Sequence, residues 1–199
     1  ACAQDPISVR PLGLNTHFVA GLEMNRFCQE VGVTSDQCAR VAIKNRGNAL
    51  RNPIAALGAD LTLADFAHSA PVAAPLTELD IAGPADGAVV IVLATEAKAR
   101  ALCPNPVWVT GVGWCNGSSD LEARDWATPE YVATAGEMAC RMAGINNPRT
   151  GIDFAEIDDT YTYKELQHLA ALRICPADSV GEWTEGGATE PDGEFPVNV

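Results

Sequence analysis

The chain has little positive charge and no long apolar segment. Its 13 lysine and arginine residues are outnumbered by 26 aspartate and glutamate residues, which gives a formal net charge of −13. Proteins that neutralise the phosphates of nucleic acids or anionic membranes carry basic clusters, and this sequence has none. The longest apolar run, residues 87–94, is far shorter than the roughly 18 residues that a membrane-spanning helix needs. We therefore expect neither a nucleic-acid partner nor a membrane.

The sequence also lacks the motifs that would assign a metal or a nucleotide. Its seven cysteines form no CxxC pair, and its three histidines are far apart without a metal-ligand spacing. A dinucleotide-binding glycine motif, a Walker lysine motif and a GxSxG elbow are all absent. No basic and apolar secretory signal precedes the first helix. These absences predict a protein of a reducing, cytoplasmic compartment whose chain holds no metal.

Helix signals are frequent along the chain. A helix is predicted over Asn15–Val31, where Gly32 stops it, and Thr34–Gln37 forms a capping box that opens a second helix. Thr128 followed by proline starts a third helix that ends at Gly144. Shorter helices are predicted over residues 62–68, 95–102 and 162–172.

Strand signals lie between these helices. Residues 87–94 form a continuous apolar run, which is typical of a strand buried on both faces. Residues 106–114 and 154–157 predict two more strands, and Gly111 and Gly113 indicate a close backbone approach in the first of these. Strands that alternate with helices predict an α/β layered architecture. The acidic segment 176–199 has six acidic residues and no lysine or arginine, and we interpret it as a solvated loop.

One polar segment is a candidate site. Asp158, Tyr161 and Tyr163 lie where a predicted strand passes into a predicted helix, and such junctions gather the functional groups of α/β proteins. The alternative is that the acidic residues cap the helix while the tyrosines pack with satisfied hydroxyl groups. If the segment is functional, we expect the three side chains to lie near one cleft.

A longer collinear pattern resembles a known family. The resemblance is carried by Arg10–Leu14, Arg40–Pro53, Pro75–Ala88, Pro106–Gly113, Met142–Ile145, Ala155–Asp159, Lys164–Leu166 and Gly193–Asn198. In this order the segments are similar to the thiolase superfamily, and most to the thiolases of the sterol-carrier-protein type. The resemblance implies a thiolase fold (layered αβαβα), of which the chain is mainly the second half with part of the loop domain. It implies a helical loop-domain segment over 1–70 and a C-terminal thiolase-like α/β domain over 71–199, incomplete at its C-terminus.

The resemblance also implies which catalytic parts are elsewhere. Thiolases of this type are about twice as long, and their nucleophilic cysteine and glycine-histidine-proline stretch correspond to positions outside residues 1–199. Cys28, Cys38 and Cys115 therefore do not take those roles. The isolated chain is expected to be inactive, and a non-catalytic half-thiolase scaffold subunit is a further alternative.

The family motif is altered at the candidate site. Thiolases place Asn or His at the position of Asp158, usually followed by Phe at the position of Tyr161. That Asn or His helps to hold an oxyanion, which an ionised Asp158 would repel. The resemblance therefore implies carbon–carbon bond chemistry on a CoA thioester, with either acyl transfer of the thiolase type or retro-aldol cleavage of a β-hydroxyacyl-CoA. It further implies a homodimer or heteromer, and a possible small OB-fold partner that carries zinc.

Overall fold

The computed structural model describes residues 7, 10–118 and 120–199. Eight α-helices follow in order: α1 (Thr16–Val31), α2 (Ser35–Ala49), α3 (Leu63–Ala67), α4 (Glu96–Leu102), α5 (Glu130–Ala143), α6 (Pro148–Gly151), α7 (Thr162–Ala171) and α8 (Val180–Glu185). A short antiparallel hairpin joins β1 (Pro71–Ala73) to β2 (Leu76–Thr77). Isolated bridges pair Ile81 with Tyr161 and Ala155 with Val197. None of the helices in the described ranges is long and apolar enough to cross a membrane.

The helix ends follow from local sequence. The Thr34 side chain accepts from the Gln37 backbone N–H, and the Gln37 side chain accepts in return from the Thr34 backbone N–H, so the predicted capping box forms at the start of α2. Helices α1 and α5 end at Gly32 and Gly144, whose φ angles of 82° and 74° are left-handed. The predicted helix boundaries are confirmed to within a few residues.

The hydrophobic core joins the first helices to the last part of the chain. Helix α2 packs against α7 and α8, α1 packs against α7, and β1 contacts α1. Fully buried members of this core are Met24, Phe27, Val41, Leu76, Tyr163, Leu166, Leu169, Ile174, Val180, Phe195 and Val197. Residues distant in sequence therefore stabilise one another at the centre of the fold.

A buried polar network fixes α2 against α7 and the last residues. The Lys44 ammonium lies 3.0 Å from a Glu165 carboxylate oxygen, and both side chains are almost fully buried. Asn198 donates from its side chain to Glu165 and to the Ile157 carbonyl, while its own amide oxygen accepts from the Ile157 N–H. Asn198 has a φ of 54°, in the left-handed region that asparagine tolerates better than most residues.

The prediction of a buried strand over residues 87–94 is wrong for the chain as described. These residues form no strand, and Val89–Leu93 are 78–87% exposed. A strand is held by hydrogen bonds to a neighbouring strand, and none of the pairings among the described residues includes this run. The apolar run is consequently left largely exposed.

The predicted strands 106–114 and 154–157 are also largely absent, because neither segment forms a continuous set of strand hydrogen bonds. Residues 106–114 form no strand, and the second segment contributes only the Ala155 bridge. The glycine interpretation of the first segment is confirmed. A Cβ atom on Gly111 would collide with the Ala139 carbonyl oxygen, and one on Gly113 would collide with that of Ala135. The segment therefore lies directly on α5.

The acidic segment 176–199 is not a solvated loop. It contains α8 and contributes Phe195 and Val197 to the core. Two of its acidic residues are partnered, since Glu185 pairs with Arg40 at 3.0 Å and Glu194 pairs with Arg149 at 2.6 Å. The charge composition of the segment does not reveal this packing, because its apolar residues contact parts of the chain that are distant in sequence.

Candidate functional site

Asp158 stabilises the turn that leads into α7. One of its carboxylate oxygens accepts from the Thr160 backbone N–H at 2.9 Å and from the Thr160 hydroxyl at 2.6 Å. Partial burial opposes ionisation of Asp158, but these bonds and the charge of Lys164 outweigh it and lower its pKa. Asp158 is therefore an anion at neutral pH, on an exposed turn.

The two predicted tyrosines stack on each other. The rings of Tyr161 and Tyr163 have centroids 6.1 Å apart and an angle of 20° between their planes. The Tyr161 hydroxyl lies 3.1 Å from Nδ1 of His17, at the start of α1. Burial raises the pKa of Tyr161, so the phenol remains protonated at neutral pH.

Tyr163 is a core residue. Its side chain is fully buried, and its hydroxyl donates to a Glu23 carboxylate oxygen at 2.9 Å. Burial and the adjacent Glu23 charge raise its pKa, which keeps the phenol neutral. Neither of the two cavities described next is lined by Asp158, Tyr161 or Tyr163, but Tyr163 contacts Glu23 and Lys164, which both line one of them.

The cavity lined by Glu23 and Lys164 has a volume of about 470 Å³ and is named the Lys164 cleft. Glu23 of α1 and Lys164 of α7 form one wall, and residues 115–118, 123–125 and 128–131 form the rest. Its charged lining is mainly acidic, since it includes Glu23, Asp125 and Glu130 together with Lys164 and Arg124. The cleft combines polar groups with a size suited to a small acyl group.

Lys164 is held in this wall by two fixed partners. Its ammonium donates to Glu23 at 2.7 Å and to the Gln167 side-chain oxygen at 3.0 Å. Gln167 is fixed in turn, because its amide donates to the carbonyls of Trp126 and Ala127. The Lys164 side chain is only 11% exposed, so its charge acts in a poorly hydrated environment.

His168 lies one helical turn beyond Lys164. It is 6% exposed, its Nε2 atom is buried without a hydrogen-bond partner among the described residues, and its ring meets the edge of Tyr131 at 6.3 Å. Burial and the Lys164 charge lower its pKa to about 4, against the opposing effect of Asp158 and Glu23. His168 is therefore neutral at physiological pH.

A second cavity, of about 290 Å³, lies between α2 and residues 79–85. Asp159 lines it and accepts a 2.8 Å hydrogen bond from Asn45, which also donates to Glu165. The buried Asp80 accepts from Thr77 and Thr162. Since these carboxylates are hydrogen-bonded by fixed neighbours, they position the loop before α7.

Sequence reasoning missed Glu23, Lys164 and His168. Lys164 and His168 are four residues apart in a correctly predicted helix, and that spacing alone places them on one face. No local sequence pattern links Glu23 to this site, because it is 141 residues from its partner Lys164. No group of three or more metal-ligating side chains occurs within the described ranges.

Comparisons with known proteins find a thiolase-like family model and relatives named as acyltransferases and aldolases. Residues 114–199 match the family described as "Thiolase C-terminal domain-like". An acetyl-CoA acetyltransferase of Methanothermobacter thermautotrophicus is 30% identical over 87% of this chain and 45% of its own length. A steroid side-chain-cleaving aldolase of Thermomonospora curvata is 28% identical over 95% of this chain and 50% of its own length.

A solved structure agrees with these sequence matches. It is an aldolase complex named "Ltp2-ChsH2(DUF35) aldolase" and superimposes with a TM-score of 0.86 at 24% identity, over 97% of this chain and 52% of that chain. The chain thus has a thiolase-like fold, and its resemblance to the thiolase superfamily is confirmed. It spans about half the length of the curated relatives that it matches.

Proposed function

We propose that the chain is part of a thiolase-like enzyme that makes or breaks a carbon–carbon bond in a CoA thioester. The observation that carries the proposal is the match of residues 114–199 to the thiolase C-terminal family, with the Asp158–Tyr163 segment inside it at the start of α7. Matched relatives include acetyl-CoA acetyltransferases and a steroid side-chain-cleaving aldolase. Coenzyme A enters the proposal as the thioester part of the substrate.

Retro-aldol cleavage of a β-hydroxyacyl-CoA is the second candidate, and the ionisation of Asp158 favours it. An anion at this position repels the oxyanion of acyl transfer, whereas a carboxylate near the β-hydroxyl group can accept its proton in an aldol cleavage, and a protonated phenol can donate one. Asp158 and Tyr161 are the proposed acid–base groups because both are partly accessible. Tyr163 is proposed to act through its contacts with Tyr161 and Glu23.

The wider setting of the enzyme is also proposed. We propose a loop-domain segment over residues 1–70, a thiolase-like domain over residues 71–199, and a cytoplasmic homodimer or heteromer. A small OB-fold partner that carries zinc would bring the metal in another chain, and the name of the matched aldolase complex includes a second component. The 199 residues by themselves are expected to lack thiolysis activity, because acyl transfer needs an activated thiolate.

A substrate screen tests the proposal. The full-length protein, with any chain that co-purifies, is incubated with a 3-ketoacyl-CoA plus free CoA and separately with a β-hydroxyacyl-CoA. Shortened acyl-CoA from the first mixture alone supports the thiolase type, and cleavage in the second without free CoA supports the aldolase. If neither substrate is cleaved and the protein still forms a stable complex with a catalytic partner, the scaffold alternative replaces both.

Substitution of the tyrosines then tests the site. Under the aldolase proposal, Tyr161→Phe lowers kcat about 10²-fold or more, the usual scale for loss of an acid–base group. Tyr163→Phe removes the hydrogen bond to Glu23 and is expected to lower kcat as well. Unchanged rates in both folded variants would return the tyrosines to a packing role.

A further inference from the structure

The proposed chemistry creates a negative charge that the expected site residues do not stabilise. Cleavage of a bond beside a thioester leaves an enolate whose charge collects on the thioester oxygen, and enzymes hold such an oxygen with fixed donors. Asp158 is itself anionic, and the Tyr163 hydroxyl already donates to Glu23. A further donor is therefore needed, and a charged donor forms the stronger hydrogen bond to such an oxygen.

Lys164 meets this requirement by geometry. An ammonium group has three N–H donors, and Lys164 uses two of them for Glu23 and Gln167. The third has no hydrogen-bond acceptor among the residues that the structure describes, and the side chain lines the largest cavity presented above. The two fixed partners hold the ammonium in place without filling the space in front of it.

The charge of Lys164 affects the ionisation of two neighbouring side chains. It lowers the pKa of Asp158 and that of His168, so it acts on groups on either side of it in the sequence. His168 is neutral and does not compete as a cation. The lining has three carboxylates and two cations, and this small acidic excess favours the uncharged acyl-thioester part over the phosphates of CoA.

We propose that Lys164 is a catalytic residue that donates a hydrogen bond to the thioester oxygen of an acyl-CoA whose acyl end occupies the Lys164 cleft. This inference rests on the proposed function and adds to it the group that holds the enolate. In retro-aldol cleavage, a base removes the β-hydroxyl proton and the β-carbon becomes a carbonyl carbon. The electrons of the broken Cα–Cβ bond move onto Cα and the thioester, which gives the enolate. The enolate carbon then takes a proton, while Lys164 remains an ammonium throughout.

Proton exchange measures this step without the second product. Full-length protein, with any co-purifying chain, is incubated with acetyl-CoA in D₂O, and loss of the acetyl proton signal is followed by NMR. Lys164→Met is expected to reduce the exchange rate by about 10²–10³-fold, the range seen when one oxyanion donor is removed. Lys164→Arg keeps a cationic donor and is expected to recover at least a tenth of the wild-type rate.

A matched variant separates catalysis from packing. Lys44→Met removes another buried, ion-paired lysine, one that does not line the cleft, so we expect no more than about a fivefold loss per folded protein. Equal losses in folded Lys164→Met and folded Lys44→Met, or an unchanged rate in Lys164→Met, overturn the role of Lys164. If Lys164→Met does not fold, a large loss in folded Lys164→Arg overturns it. No exchange by the wild-type protein overturns the proposed function, and the inference with it.

Discussion

The packed region and the exposed region of this chain are both rich in apolar residues but differ in what covers them. The packed region comprises α1, α2, α7 and residues 195–197, which bury one another. The exposed region comprises residues 87–94 and 106–114, and its Val89–Leu93 run is largely uncovered. The difference shows that hydrophobicity selects which segments favour burial, whereas partner segments decide whether burial happens.

The largest expected effect tests the polar centre of the packed region. Lys44→Met leaves the buried Glu165 carboxylate without its cation, while burial raises the pKa of that carboxyl and Lys44 lowers it. Breaking such a pair from one side costs about 3–5 kcal/mol. Urea unfolding measures the loss, with Lys98→Met on α4 as an exposed control that changes stability by less than about 0.5 kcal/mol.

A pair of leucine substitutions compares the two regions directly. Leu169→Ala removes a fully buried side chain and is expected to cost about 2–5 kcal/mol. Leu93→Ala, at a residue that is 79% exposed, is expected to stay within about 0.5 kcal/mol in this chain. A large loss from Leu93→Ala in the 199 residues would remove the distinction.

The third effect depends on pH and on His168. Its folded pKa of about 4 lies below the unfolded value of 6.5, so the unfolded state binds more protons between these values. Stability contributed by neutral His168 is complete above pH 6.5 and is lost as the pH falls towards 4, by up to about 3 kcal/mol. His168→Leu should remove this part of the slope, measured as the difference between unfolding curves of the two proteins from pH 4 to 7. Identical slopes would contradict it.

The smallest effect concerns a helix start. Thr34→Ala removes the side-chain cap of α2 and is expected to cost about 1 kcal/mol. Thr95 precedes α4 without a side-chain cap hydrogen bond, so Thr95→Ala serves as the control and is expected to cost less. Thermal unfolding of both variants measures the difference, and equal losses would show that the cap contributes nothing.

The parts predicted from the sequence are those whose cause is local. Thr34 with Gln37, and the glycines at 32 and 144, each act within one helical turn, so the pattern and the structure agree. The packing of Phe195 and the Glu23–Lys164 pair depend on residues more than a hundred positions away, which periodicity does not report. The buried-strand prediction for residues 87–94 is wrong because an apolar run predicts a strand whether or not another segment is present to pair with it.

The catalytic roles of Asp158, Tyr161 and Tyr163 stay predictions. The junction before α7 does gather charged and aromatic side chains, but none of these three residues lines a cavity described above. Tyr163 faces the core, and the wall of the cleft includes Lys164 and, from α1, Glu23. The residue pattern over a few positions does not reveal which face of the first turn of α7 another helix will cover.

The long separation between the partners in the core has a kinetic consequence. Glu23 meets Tyr163 across 140 residues, and Lys44 meets the Val197 carbonyl across 153. The entropy of bringing such distant segments together is lost before their contacts compensate for it, which slows folding. We therefore expect α1 and α2 to form early as separate helices and to pack late, when the last part of the chain reaches them. During that interval, the apolar faces of both helices are open to wrong partners, and dilution should improve the yield of refolding.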